Sequence, residues 1–194
     1  ASPWGRGEIA GAERLVCLNE ADGKVLWEQA YDCPYSVSYA AGPRATPVVS
    51  GGKVWTLGTE GHLFCLDAKD GKVIWSHEFK KGFNAKTPIW GFAANPLLDG
   101  NKLICLVGGE GSVAMAFDKD TGKELWRALT AKEPGYAPPM IFQAGGKRQL
   151  IIWHPESLNS LDPETGKVYW SEPFAVRSGL TVPTPRVLGD KLFI

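Results

Sequence analysis

Apolar positions along this chain come in short runs, not in long helical stripes. "VVS", "KVWTL", "HLFCLD" and "KVIW" follow one another between Val48 and Trp75, separated by Gly-bearing turns. Brief runs rich in β-branched and aromatic residues, punctuated in this way, predict strands. In "HLFCLD" both alternating faces are apolar, Leu63 with Cys65 on one and Phe64 with Leu66 on the other. A strand of that kind belongs to a sheet covered on both sides.

The pattern then repeats. "LNEADGKVLW" ends at Trp27, "LDAKDGKVIW" at Trp75, "FDKDTGKELW" at Trp126 and "LDPETGKVYW" at Trp170, so the steps from Trp to Trp are 48, 51 and 44 residues. A second signal runs in phase: "ATPVVSGGKVW", "ANPLLDGNKLI", "APPMIFQAGGKRQLII" and "PTPRVLGDKLFI". In each, a proline (Pro47, Pro96, Pro139 or Pro185) opens a strand, where its missing N–H costs little. A Gly-bearing turn then leads to a second strand as a hairpin. The third strand ends in Asp67 or its counterparts Asp118 and Asp162, whose side chains suit bonding to the backbone of the following turn. Gly23, Gly71, Gly122 and Gly166 supply the positive φ this turn needs. The fourth strand carries the Trp.

Four-stranded antiparallel units at this period, stacked face to face, predict an all-β fold, a β-propeller. Trp27, Trp75, Trp126 and Trp170 are then large anchors packed against a neighbouring blade. One position of the third strand is always small (Cys17, Cys65, Ala116, Ser160), which reads Cys17 and Cys65 as buried fillers and not as redox groups. One propeller domain is expected over 1–194, with blades at about 1–27 (half), 44–75, 93–126, 136–170 and 182–194 (half).

These motifs resemble the pyrroloquinoline-quinone-type (PQQ-like) propeller repeat of quinoprotein alcohol dehydrogenases and BamB-type outer-membrane assembly lipoproteins. Longer runs such as "PIWGFAANPLL" and "CLVGGEGSVAMAFDKDTGKELWRAL" are similar to secreted propellers of planctomycete type. The resemblance implies a periplasmic or secreted location and a ring of seven or eight blades, of which this chain is an incomplete segment. The alternative is a four-bladed ring in which the N-terminal half-blade completes the C-terminal one.

The connections from one blade to the next are long, at about 28–44, 76–94, 127–137 and 171–182. Long loops on a rigid scaffold are where binding concentrates. They bring Arg44, Trp90, Tyr136 and Thr181 to the start of the innermost strands. Turns on the same face add Glu60, Glu110 and Glu156, the last beside His154. Arg44, Glu60, Trp90, Glu110, Tyr136, His154 and Glu156 are therefore the candidate ligand funnel. No catalytic residue is assigned, because neither a Ser–His–Asp order nor a paired-carboxylate spacing is present.

Composition narrows the partners. Lys plus Arg and Asp plus Glu balance at 21 each, so no global field draws in nucleic acid. No apolar stretch reaches the length of a membrane span, and no signal peptide is written in this chain. The four cysteines form no C-x-x-C pair, and only three histidines are present, so no metal site is expected. "DKDTGKE" at Asp118–Glu124 has the look of a calcium loop, but it is one copy of the blade turn and lacks the final spaced Glu. The leading expectation is a non-catalytic binding scaffold for a protein or polysaccharide. The alternative implied by the resemblance is a quinoprotein dehydrogenase that oxidises an alcohol or sugar with pyrroloquinoline quinone and calcium, though the adjacent cysteine pair of many such enzymes is absent.

Overall fold

The structure, a computed structural model, describes residues 9–37 and 42–194. Residues 1–8 of the expected first half-blade and 38–41 of the first long connection lie outside it. Three four-stranded antiparallel sheets follow one another as simple meanders. The first holds β3 (Val48–Ser50), β4 (Lys53–Leu57), β5 (His62–Asp67) and β6 (Val73–Glu78). The second holds β7 (Leu97–Asp99), β8 (Lys102–Leu106), β9 (Ala114–Asp118) and β10 (Glu124–Ala128). The third holds β11 (Met140–Ala144), β12 (Lys147–His154), β13 (Ser157–Leu161) and β14 (Val168–Pro173). A two-stranded sheet precedes them, β1 (Ala12–Leu18) with β2 (Val25–Asp32), and another follows, β15 (Arg186–Leu188) with β16 (Lys191–Phe193). The architecture is an incomplete β-propeller of three whole blades between two half-blades. The one α-helix among the described residues, α1 (Phe79–Gly82), is a single turn in the first long connection between whole blades.

Register explains the small residue in each third strand. Cys65 pairs with Trp55 on one side and Trp75 on the other, Ala116 with Ile104 and Trp126, and Ser160 with Ile151 and Trp170. Directly opposed side chains share one face of the sheet, so a small group leaves room for two large neighbours. Cys65, Ala116 and Ser160 are fully buried. Cys17 pairs with Trp27 alone and is only half-buried, because no strand among the described residues lies on the other side of β1. That corrects its expected place in the core.

After the small residue the register slips by one in every sheet that carries this strand pair. The bulge sharpens the local twist just before the turn. In that turn Gly71, Gly122 and Gly166 each adopt φ of +73°, and each donates its N–H to the carbonyl of Asp67, Asp118 or Asp162. The carboxylates accept from the turn backbone, as Asp67 Oδ1 does from Lys69 N at 2.8 Å.

The core lies between blades. Trp55, Leu63, Cys65 and Phe79 meet Leu103, Cys105, Met115 and Phe117 between the first and second whole blades. Ile104, Ala116 and Trp126 meet Leu150, Ile152 and Leu161 between the second and third. At each junction a fourth-strand Trp lies on the turn glycine of the next blade. Trp27 donates to Ala68 O (3.0 Å), Trp75 to Lys119 O (3.0 Å) and Trp126 to Pro163 O (3.2 Å). A Cβ on Gly71, Gly122 or Gly166 would come within 2.5–2.8 Å of those rings.

Candidate functional site

Residues just ahead of β3, β7, β11 and β15 converge on one open cavity of about 620 Å³. Arg44, Trp90 and Tyr136 line it together with Asn95, Pro138 and Thr184. Their convergence places the first strand of each blade on the inner side of the arc, toward its axis.

Each wall is fixed differently. Trp90 and Tyr136 meet edge to face, with ring centroids 5.9 Å apart. The backbone N–H of Tyr136 donates to Thr181 Oγ1 at 3.2 Å, and Thr181 is completely buried. The Tyr136 hydroxyl is buried without meeting hydrogen-bond geometry to any group. Burial first, and the charge of nearby Glu133 second, push this phenol up to about 12.

Arg44 donates to Gly42 O (3.0 Å) and Thr59 Oγ1 (3.1 Å). Thr59 is itself held, because its N–H donates to the buried carboxylate of Glu13 at 3.1 Å. The same carboxylate accepts from the Tyr31 and Tyr35 hydroxyls. A buried carboxyl side chain thus anchors the loop that carries the guanidinium.

The four remaining candidates lie apart from this cavity. Glu60 is buried and accepts from Ser36 N (2.6 Å), Lys80 Nζ (2.8 Å) and Thr87 Oγ1 (2.7 Å), tying two connections to one turn. Burial opposes its charge, but the hydrogen bonds from Lys80, Ser36 and Thr87 outweigh it and hold the carboxyl below its ordinary range. His154 is buried, and burial lowers its pKa. Glu156 accepts from Lys132 N at 2.9 Å and so fastens the preceding connection. Glu110 is exposed at a separate cavity of about 300 Å³, with Lys86 and Lys132 on its walls.

Sequence reading missed Asn95, Pro138 and Thr184 as cavity residues. The signal was present: each stands immediately before the strand-opening proline of its repeat. It also missed Glu13, a carboxylate that alternates with Leu15 and Cys17 on one face of β1.

The described residues do not bring together a carboxylate cage for the calcium implied by the family resemblance. No three His, Cys, Asp or Glu side chains converge suitably for a metal among the described residues. In the calcium-like turn, Asp118 Oδ1 accepts from Asp120 N, Thr121 N and Thr121 Oγ1, and Asp120 pairs with Lys53 at 2.6 Å. Those oxygens already serve the turn and the junction.

Repeated four-stranded blades with this Trp-on-Gly junction define a PQQ-repeat propeller. The sequence matches the family described as outer membrane protein assembly factor BamB over residues 11–194, and the chain belongs to that family. No curated protein is significantly similar to it in sequence. Among solved structures it is similar to BamB from Moraxella catarrhalis, with 22% identity and a TM-score of 0.65 over 92% of this chain and 51% of that one. It is also similar to the quinohemoprotein alcohol dehydrogenase of Comamonas testosteroni, with 19% identity and a TM-score of 0.59 over 86% of this chain and 34% of that one. The chain therefore spans about half the length of the first and a third of the second. At these identities the likeness is one of fold.

Proposed function

We propose that this arc is part of a non-catalytic, extracytoplasmic binding propeller that presents the Arg44–Trp90–Tyr136 cavity to a segment of protein or polysaccharide. The lining carries the reading: among the described residues it offers aromatic rings, a fixed guanidinium, an amide and a hydroxyl, and no carboxylate, imidazole or thiol to move a proton. Such groups recognise a ligand through stacking and hydrogen bonds, and the volume is of ordinary ligand-pocket size. The BamB family, described as an assembly factor for outer-membrane proteins, supports a periplasmic or outer-membrane setting. No helix among the described residues is long and apolar enough to cross a membrane.

Screening the chain against glycan and peptide arrays, beside Trp90→Ala, tests this. Ligands held by the parent chain and lost in the variant are expected. Equal capture by both refutes a role for the cavity. Saturable, calcium-dependent quenching by pyrroloquinoline quinone, coupled to oxidation of an alcohol or sugar, would establish a quinoprotein dehydrogenase instead.

A further inference from the structure

Two successive blade connections share a short pattern that the blade repeat itself does not require. Lys86-Thr87-Pro88-Ile89-Trp90 lies on the approach to β7, and Lys132-Glu133-Pro134-Gly135-Tyr136 on the approach to β11. Each sets out a lysine, a proline and an aromatic ring at the same intervals, although the two connections differ in length. The fold sorts the two kinds of side chain into two cavities. Trp90 and Tyr136 line the one of about 620 Å³, and Lys86 and Lys132 line the one of about 300 Å³. The Cα atom of each lysine lies at most about 14 Å from that of its aromatic partner, the reach of four extended residues. The same two segments therefore border both cavities.

The smaller cavity is built from fixed backbone. One wall is the turn between β8 and β9, where Gly108 and Gly109 have φ of +93° and +94°. A Cβ on Gly109 would lie 3.1 Å from Ser112 Oγ and 3.3 Å from Phe83 O, so this turn and the first connection meet closely. The second connection is fastened by Gly111 N donating to Thr130 Oγ1 (2.8 Å), Val113 N to Leu129 O (3.2 Å) and Lys132 N to Glu156 Oε1 (2.9 Å). Asn84 and Leu129 hold left-handed φ of +53° and +69° without being glycine. Backbone strain of this kind gathers at ligand sites.

Charge gives the site its sign. Lys80 and Lys81, just upstream, are already paired with Glu60 and Glu78 at 2.8 and 2.7 Å. Lys86 and Lys132 are exposed, and their ammonium groups form no ion pair among the described residues. Two cations thus stand against the single carboxylate of Glu110, with the Asn84 amide and the Thr130 hydroxyl on the same walls. The lysines suit an anionic group, and Glu110 and Asn84 suit hydroxyls. None of the lining residues belongs to a strand, so the cavity offers no ladder to a peptide backbone.

We infer that the ligand of this face is an acidic polysaccharide: one sugar ring packs in the Trp90–Tyr136 cavity while the carboxylate or sulfate of a nearby unit is held by Lys86 and Lys132. This inference rests on the binding role proposed for the larger cavity and names the ligand's class.

Affinity electrophoresis through polygalacturonate, alginate and a sulfated galactan, beside neutral galactan and dextran, tests it. At low salt an acidic polymer should retard the parent chain far more than a neutral one, and the retardation should fade as salt is raised. Which acidic polymer acts distinguishes carboxylate from sulfate. Lys86→Gln/Lys132→Gln should bind that polymer about tenfold more weakly, the scale of one lost hydrogen bond to a charged group. Lys69→Gln/Lys123→Gln removes two exposed lysines outside both cavities and should bind as the parent does. Equal weakening by both lysine pairs, equal retardation by neutral polymers, or none by any acidic polymer overturns the inference. So does capture of acidic peptides alone. In each of these cases, array ligands still lost in Trp90→Ala would leave the larger cavity's binding role standing, and equal capture by that variant would remove it too.

Discussion

The Trp75 ring occupies the space a side chain at Gly122 would need: a Cβ there would lie 2.8 Å from the ring. The indole N–H donates to Lys119 O, three residues before that glycine, at 3.0 Å. Ring, carbonyl and bare backbone form a single lock between blades, so Gly122→Ala carries two penalties. Overpacking costs about 1–3 kcal/mol and the left-handed backbone about 1 kcal/mol more, for an expected loss of about 2–4 kcal/mol in urea unfolding. Gly52→Ala is the control, since its φ is +76° but nothing lies within 4 Å. It should lose only the backbone part, and equal losses at both sites would show that ring contact is not what excludes a side chain.

Glu60 gives an acid-sensitive clamp. Its carboxyl is held below the ordinary 4.5 in the folded chain, so its stabilisation is complete above that value and is lost as pH falls through the lower folded one. Glu60→Gln should cost about 1–3 kcal/mol at pH 7, the scale of hydrogen bonds to a charged group. The difference between parent and variant should shrink below pH 4.5. A constant difference from pH 7 to pH 3 would show that charge is not what matters there.

At Tyr136 the expectation is the opposite. Its buried hydroxyl lies beside the Glu133 carboxyl without meeting ideal hydrogen-bond geometry to it, so Tyr136→Phe should cost less than about 1.5 kcal/mol, the scale of a single hydrogen bond. The ring keeps its edge on Trp90. If the hydroxyl serves the cavity's ligand, the same variant binds any array hit several-fold more weakly. Loss of stability with unchanged binding would make Tyr136 a packing residue only.

Positions in the scaffold and in the loops differ in how far the sequence announces them. Trp75 and Gly122 belong to a motif written four times, and the same junction recurs because each blade faces the same neighbour problem. Asn95 and Thr184 were equally periodic, but residues before a strand-opening proline read as turn chemistry until four blades place them around one axis. Glu60 stands at a Gly-flanked turn that suggests a solvent-facing charge. Its donors Ser36, Lys80 and Thr87 come from connections with no repeat, 24, 20 and 27 residues away. Non-repeating loops carry their pairing only in three dimensions, so the scaffold was readable and the sorting of its polar groups was not.

His154 supplies a pH response distinct from that of Glu60. Its Nδ1 accepts from Glu156 N at 3.3 Å, so the proton resides on Nε2, facing Ser157 Oγ at 3.0 Å. Burial lowers its pKa from the ordinary 6.5, with the Glu156 charge opposing in part. Below 6.5 the unfolded chain takes up a proton that the folded chain resists, so stability falls as pH drops through that value. His62, also lowered chiefly by burial, contributes in the same direction. Urea midpoints at pH 7.5 and 5.5 should therefore fall for the parent and fall about half as far for His154→Gln, whose amide can still accept from Glu156 N. Because Glu60 acts only below 4.5, it leaves this interval undisturbed. An unchanged drop in the variant would mean that His154 is already protonated in the fold, and Nδ1 could then no longer accept from Glu156.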